Sequence, residues 1–349
     1  MKFLWIVFLG LLPLIAQDGS KKAPPNEDKK IIEEAIKIGV DWVVAQQAKE
    51  GSFPSGYQSA GNHAMVLWTL LECGLDPDHK AVEKTLNHLR KKADPQKNQN
   101  HHGNYAASLT IVALQSYYYR KIAKDNKEIK SDKIFEAVKK ALTKEDLNLV
   151  KKLLPYSRAC ATETGWRYSA AGKVDAKTTD SPEFKKINAF DGKDVKEEKI
   201  EKVKWTGDNS NAQYGWMGMH SASLLGVTLD DDDFITGEIK RIISTKLKAS
   251  EKAKFKFKRS ESNGFEAIWK EAEIKEEVVP CGWFYSPTWN SGKIQPTMSS
   301  GCVASLVYAW AQAEWRGLMT DSLRKQARET LFAGVAGLYG VKKQNFPGC

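Results

Sequence analysis

The sequence predicts an all-α protein in which outer and inner helices alternate along the chain. Segments with apolar residues on one helical side recur, as expected of helices that pack on one face. Between them lie segments that are apolar or small nearly all round, which is typical of helices covered on both sides. A glycine close to an aromatic residue recurs where one kind of segment gives way to the other. Together these features predict a helical repeat of about 50 residues.

The elements follow in chain order. One-sided periodicity predicts outer helices that begin near Ile31, Val82, Ile134, Leu147, Ile235 and Leu323. Inner helices are predicted in HAMVLWTLLECGL, YAASLTIVALQSYYY, NAQYGWMGMHSASLLGV and GCVASLVYAWAQ. Two insertions lengthen the repeat, a polar loop over residues 173–204 and a segment over residues 250–280. In the second, Ala253, Phe255 and Phe257 alternate with lysines, and this predicts a small inserted β-hairpin.

The N-terminus predicts export. Residues 1–16 combine one lysine, an apolar run and a final Ala16, as a signal peptide does. A retained anchor or a buried N-terminal helix is the alternative. Residues 17–30 are predicted to be a polar linker and residues 31–345 one repeat domain, so the mature protein is expected in the periplasm or outside the cell. The five cysteines are widely spaced, and most of them are predicted to be small core residues.

The charge pattern argues against a nucleic-acid partner. The net charge is +10, but charged residues of both signs make up 28% of the chain and are spread along it. The stretch from Lys252 to Arg259 is locally basic. Its lysines are expected to protect a hairpin edge from pairing with other chains. Contact of these residues with an anionic lipid or polysaccharide surface is the alternative.

Short motifs connect the repeat to a known family. The first unit spaces Gly39, Trp42, Gln47, Gly51 and Phe53 as in the QW repeat of squalene and oxidosqualene cyclases, with phenylalanine in the place of the usual tryptophan. TGWRYSA and CGWFYSP resemble the degenerate repeats of bacterial prenyltransferase and squalene oxidase repeat proteins. The resemblance to this terpenoid cyclase and protein prenyltransferase-like class runs from Ile31 to Tyr339. It implies an α/α toroid, in which a ring of inner helices lies inside a ring of outer ones.

The resemblance also directs attention to acids and metals. Cyclases of this class use an Asp-x-Asp-Asp acid, and Asp230 to Asp233 satisfy that spacing. Their place before an outer helix instead predicts a surface helix cap. Prenyltransferases bind zinc through Asp-x-Cys, but Ser300 stands two residues before Cys302. We therefore predict no metal and no cofactor. The catalytic candidates, each with packing or capping as the alternative role, are Asp208, Asp230, Asp232, Asp233 and His220.

These observations predict a binding or assembly module that is not an enzyme. Its ligand is expected to be hydrophobic, a glycan or a protein. The candidate ligand-binding residues, for which hinge packing is the alternative, are His63, Tyr105, Trp166, Tyr168, Trp216, Trp283 and Tyr285. The alternative function is an isoprenoid cyclase or prenyltransferase. The last outer helix, Asp321 to Leu338, has no inner helix after it. The ring is thus expected to be incomplete there, with a second subunit as one way to cover the helix.

Overall fold

The protein is mostly helical, and the predicted all-α class with a small inserted hairpin is confirmed. The structure is a computed structural model that describes residues 26–54, 60–94, 103–126, 133–162, 165–170, 207–248, 253–258, 273–285 and 294–340. Its helices are α1 (Asn26–Ala45), α2 (Ala60–Glu72), α3 (Lys80–Lys92), α4 (Gly103–Asp125), α5 (Ile134–Ala141), α6 (Lys144–Ala159), α7 (Asn209–Leu224), α8 (Asp232–Ser244), α9 (Pro296–Trp315) and α10 (Asp321–Gly340).

Four inner helices lie side by side. Helix α2 packs against α4, α4 against α7, and α7 against α9. The backbones of α4 and α7 approach closely, because a side-chain carbon on Gly218 would lie 2.8 Å from the Cα of Ser108. Within the described residues no extensive packing joins α2 to α9. The inner helices therefore form an open row, and closure of this row into a ring stays a prediction.

The outer helices cover this row as the sequence predicts. Helix α3 packs on α2, α5 and α6 pack on α4, and α8 and α10 pack on α9. Their apolar sides are buried: Val82, Leu86 and Leu89 of α3 are each at most 2% exposed. Charged residues occupy the other sides, which explains the one-sided pattern in the sequence.

The expectation for the last helix needs correction. Leu323 and Ala327 of α10 are buried, and so is Gly334, because α10 packs against α9, α8 and the short strand at Cys281–Gly282. The apolar stripe that appeared to have no partner is thus covered by elements that precede it. Exposed residues such as Ser322, Lys325 and Glu329 form the outer side of α10. The reason to expect a second subunit at this helix is thereby removed.

Short strand pairs sit between some helices. They are β1 (Ala161–Thr162) with β2 (Gly165–Trp166), β3 (Leu247–Lys248) with β6 (Cys281–Gly282), and β4 (Ala253–Lys258) with β5 (Glu273–Val278), all antiparallel. The β4–β5 pair is the predicted hairpin, and Ala253 pairs with Val278. The predicted loop at 173–204 lies outside the described residues, as do Lys252 and Arg259.

Gln47 of the first repeat connects two units, whereas Trp42 does not. The Gln47 amide donates to the Ala81 carbonyl of α3 at 2.8 Å and to the Thr85 hydroxyl at 2.7 Å, so it does join two units. Trp42 is 65% exposed, so its ring takes no part in this joint. Helix α1 begins at Asn26, inside the segment predicted as linker.

Two remaining features are the burial of the cysteines and the length and hydropathy of the helices. Cys160, Cys281 and Cys302 are buried and free, as predicted for core residues, whereas Cys73 is exposed. None of the helices in the described ranges is long and apolar enough to cross a bilayer. The predicted signal peptide at residues 1–16 and Cys349 lie outside those ranges.

Candidate functional site

Two copies of one motif build the candidate site. Gly165-Trp166-Arg167-Tyr168 begins in strand β2 of the β1–β2 ribbon, and Gly282-Trp283-Phe284-Tyr285 begins in strand β6 of the β3–β6 ribbon. The glycine lies one register position apart in the two ribbons: Gly165 pairs with Thr162, the last residue of β1, whereas Gly282 pairs with Leu247, the first residue of β3. The ribbons differ in what joins their strands. Two residues separate β1 from β2, whereas the β4–β5 hairpin lies between β3 and β6.

Each motif caps the inner helix of the preceding unit. The Asn104 N–H at the start of α4 donates to the Tyr168 carbonyl at 2.8 Å, and the Asn209 N–H at the start of α7 donates to the Tyr285 carbonyl at 2.9 Å. These contacts satisfy amides that the first turn of a helix leaves without a partner. They also bring both tyrosine side chains to the N-terminal end of the inner helices.

Four tyrosines meet at this end, and we call Tyr105, Tyr168, Tyr214 and Tyr285 the tyrosine rim. Their side chains are all half-buried. The hydroxyls of Tyr168 and Tyr285 lie 2.5 Å apart, although 117 residues separate them in sequence. The Tyr105 ring lies 4.5 Å from the Tyr214 ring and 5.8 Å from the Tyr168 ring, measured between centroids. The Tyr105 hydroxyl contacts the Ser210 hydroxyl at 2.7 Å.

Three of the four rim tyrosines offer neutral hydroxyls rather than charged groups. Burial raises the pKa of Tyr105, Tyr214 and Tyr285 above the usual range for a phenol. These three hydroxyls therefore stay protonated at neutral pH. They can donate and accept hydrogen bonds but are poorly suited to act as bases or nucleophiles.

Asp208 lies beneath the rim and caps α7, as the sequence predicts. Its carboxylate accepts the Asn211 backbone N–H at 2.6 Å and the Asn211 side-chain amide at 2.9 Å. Burial raises the pKa of Asp208, while these bonds and a hydrogen bond from the Tyr285 hydroxyl oppose the rise. The side chain is fully buried. Asp208 thus holds the start of α7 and one rim tyrosine in place.

The three predicted tryptophans belong to the core instead. Trp166, Trp216 and Trp283 have no exposed surface, so they are not part of the candidate site. The Trp166 ring lies where a side chain on Gly215 would be, 2.1 Å from the position of its Cβ. The Trp283 indole donates to the Ile242 carbonyl at 3.0 Å.

The two predicted histidines also have packing roles. His63, at the start of α2, accepts the Phe53 N–H at 3.2 Å, and burial lowers its pKa to about 4. His220 stacks on Tyr308 with 5.1 Å between ring centroids, and burial lowers its pKa to about 3. It lies six residues beyond the rim residue Tyr214 along α7, which is fewer than two turns. Both rings are neutral at physiological pH.

The acidic run, Asp230 to Asp233, lies at the start of outer helix α8 and forms ion pairs there. Asp231 caps α8 by accepting the Phe234 N–H at 3.1 Å and pairs with Arg158 at 2.8 Å. Asp230 and Asp232 both pair with Arg316, at 3.1 and 2.7 Å. Asp233 is an exposed residue of the first helical turn. The predicted capping role is confirmed, and the catalytic candidates Asp230, Asp232 and Asp233 have surface roles.

Sequence reasoning missed several residues that shape the site. Tyr214 lies within an apolar inner helix, where its ring could not be distinguished from core. Asn104 and Asn209 occupy the same place in two units, and that correspondence was a usable signal. In the described part of the chain no three His, Cys, Asp or Glu side chains lie close enough to share a metal ion.

Comparisons with protein-family models, with curated proteins and with solved structures found no match to this chain. The resemblance to the terpenoid cyclase and prenyltransferase-like repeat class therefore stays a prediction. It depends on the Gln47 repeat and on the two Gly-Trp-x-Tyr motifs.

Proposed function

We propose that the chain is an exported binding module of the squalene cyclase and prenyltransferase-like repeat class, and that it holds its ligand at the tyrosine rim. One observation carries the proposal. Half-buried tyrosines from separate units converge on one end of the inner helices, although they are far apart in sequence. Export rests on the leader pattern of residues 1–16.

The chemistry of the rim favours binding over catalysis. Burial raises the pKa of Tyr105, Tyr214 and Tyr285, so these phenols stay protonated, and the nearby acid Asp208 already accepts several hydrogen bonds. A cyclase needs an acid able to protonate its substrate, and Asp230 and Asp232 are instead paired with Arg316. The isoprenoid cyclase and prenyltransferase alternatives therefore gain no support from these residues.

Among the three ligand classes, a glycan suits the rim best. Aromatic faces pack against the C–H faces of sugar rings, and phenol hydroxyls exchange hydrogen bonds with sugar hydroxyls. A purely hydrophobic ligand would cover these hydroxyls without using their remaining capacity for hydrogen bonds, which costs free energy. The rim residues named here carry no net positive charge, so the proposed glycan is neutral.

Binding of the purified protein to a glycan array, followed by calorimetry on the strongest neutral hit, tests the proposal. Tyr168→Phe removes one hydroxyl of the 2.5 Å pair. We expect it to weaken binding about tenfold, the equivalent of one hydrogen bond. The matched control is Tyr119→Phe, since this half-buried tyrosine lies on α4 beside Phe135, away from the rim. Equal affinities of both variants for the hit would place the site elsewhere. An array without neutral hits, or binding of an apolar or protein ligand only, would reject the glycan assignment.

A further inference from the structure

Helix α1 carries an exposed apolar face. Seven large hydrophobic side chains are exposed in the described part of the chain, and five of them belong to α1. We call these five the α1 stripe: Ile31, Ile32, Ile36, Ile38 and Trp42, with exposures of 64, 54, 41, 63 and 65%. Four of the five are thus more than half exposed. Such a concentration of apolar surface on one element marks an interaction surface.

The stripe is continuous along a long helix. Helix α1 has 20 residues and is therefore about 30 Å long. Ile32, Ile36 and Gly39 follow one another at helical spacing, and Glu33, Lys37 and Asp41 point to the other side. No helix or strand of the described residues packs extensively against α1. Most of the stability of a helix in a protein comes from the packing of its apolar face rather than from helix propensity, so this face needs a partner.

The opposite end of the row of inner helices, in a second copy of the chain, does not provide that partner. Helix α10 covers that end, and its outer side carries Ser322, Lys325 and Glu329. A head-to-tail contact between copies would therefore place apolar α1 residues against charges, which would lose their water. An anionic membrane is also poorly matched, because residues 29–45 hold three lysines (29, 30, 37) and three acids (33, 34, 41).

We propose that two copies of the chain pair through their α1 stripes, antiparallel and about a two-fold axis. An apolar face is complementary to itself under this symmetry. Gly39 lies beside the stripe with open space around it, so two helix backbones can approach closely there. Antiparallel pairing also places the positive end of each helix dipole near the negative end of the other.

The area of the α1 stripe determines how strongly the two copies are expected to bind each other. At about 100 to 150 Å² for each side chain, five side chains bury roughly 600 Å² per copy. The total is near the lower limit for specific protein interfaces. We therefore expect a reversible dimer with a dissociation constant in the micromolar range.

Sedimentation equilibrium of the purified protein tests the pairing. The wild-type protein should approach twice the mass of its single chain as its concentration rises. Ile36→Glu/Trp42→Glu should raise the dissociation constant at least 100-fold. The matched control is Met65→Glu/Trp315→Glu, which changes two large hydrophobic residues that are exposed elsewhere in the described ranges and should leave the dimer intact. Circular dichroism verifies that both variants are folded.

Disulfide cross-linking tests the orientation, in a Cys73→Ser/Cys349→Ser background. Gly39→Cys, near the middle of α1, should cross-link two copies. Ile31→Cys, near one end, should not, because an antiparallel pair keeps the two copies of this residue apart. A wild-type monomer at 100 µM, a dimer that survives the α1 variant, or cross-linking through Ile31→Cys would each overturn the proposal. Binding of α1 to neutral or anionic vesicles by a monomeric protein would also overturn it.

Discussion

Asp231 should matter more to stability than the other acids of its run. It accepts a hydrogen bond from Arg158 Nε at 2.9 Å, and a terminal nitrogen of the same guanidinium lies 2.8 Å from the carboxylate in an ion pair. The Arg158 side chain is only 5% exposed and stacks on the Phe234 ring at 3.8 Å. Burial lowers the pKa of Arg158, and the Asp231 carboxylate opposes that shift. The charge of Asp231 thus compensates a buried cation.

Asp231→Asn removes the charge but keeps the helix cap, because asparagine caps helices as well as aspartate does. The variant therefore measures the contribution of the charge alone. Removing one partner of a buried ion pair costs about 3 to 5 kcal/mol. Since Asp231 is 26% exposed, we expect a smaller loss of about 2 to 3 kcal/mol. Asp233→Asn removes only an exposed helix-start charge and should cost about 0.3 to 1 kcal/mol.

Urea unfolding at pH 7, followed by circular dichroism, measures both losses. In an Arg158→Leu background, Asp231→Asn should cost less than about 1 kcal/mol, because no buried charge remains to be left unpaired. If Asp231→Asn and Asp233→Asn are equally mild in the wild-type background, then Asp231 acts only as a surface cap and the reasoning is refuted.

Two further predictions concern pH and the first repeat. Burial lowers the pKa of His220 to about 3, below its ordinary value of 6.5, so its stabilising contribution is complete above pH 6.5 and is lost as the pH falls towards 3. Between pH 6.5 and 4.5 the wild-type protein should lose roughly 2 to 3 kcal/mol more than His220→Gln does; parallel stability curves would contradict this. Gln47→Ala should cost about 1 to 2 kcal/mol, because two hydrogen bonds to α3 are lost. Trp42→Ala, measured below the dimer concentration, should cost less than about 0.5 kcal/mol, and a larger loss would mean that its ring packs within its own chain.

Local patterns predicted the helices and their caps. The spacing of apolar residues located the outer and inner helices. A helix buried on one side has apolar residues on that side only, and a helix buried on both sides is apolar or small nearly all round. The caps formed by Asp208 and Asp231 were predictable, since a cap depends on residues only three positions away.

Contacts between distant segments were not predictable. Trp42 lies on an apolar helix face, but the pattern does not say whether the same chain covers that face. Trp166 could be assigned to the core only once Gly215 was seen to leave room for its ring. The covering of α10 by α8 and the pairing of Arg158 with Asp231, 73 residues away, also depend on the complete fold.

Fluorine NMR tests the central claim, that the ligand lies at the tyrosine rim, most directly. Protein labelled with 3-fluorotyrosine would be titrated with a panel of neutral hexasaccharides, and Tyr→Phe variants would assign the resonances. We expect the Tyr105, Tyr168 and Tyr285 signals to move together with a single affinity, while the Tyr119 signal stays in place. Saturable binding that leaves these three signals unmoved, or no binding by any member of the panel, would contradict the assignment of this site.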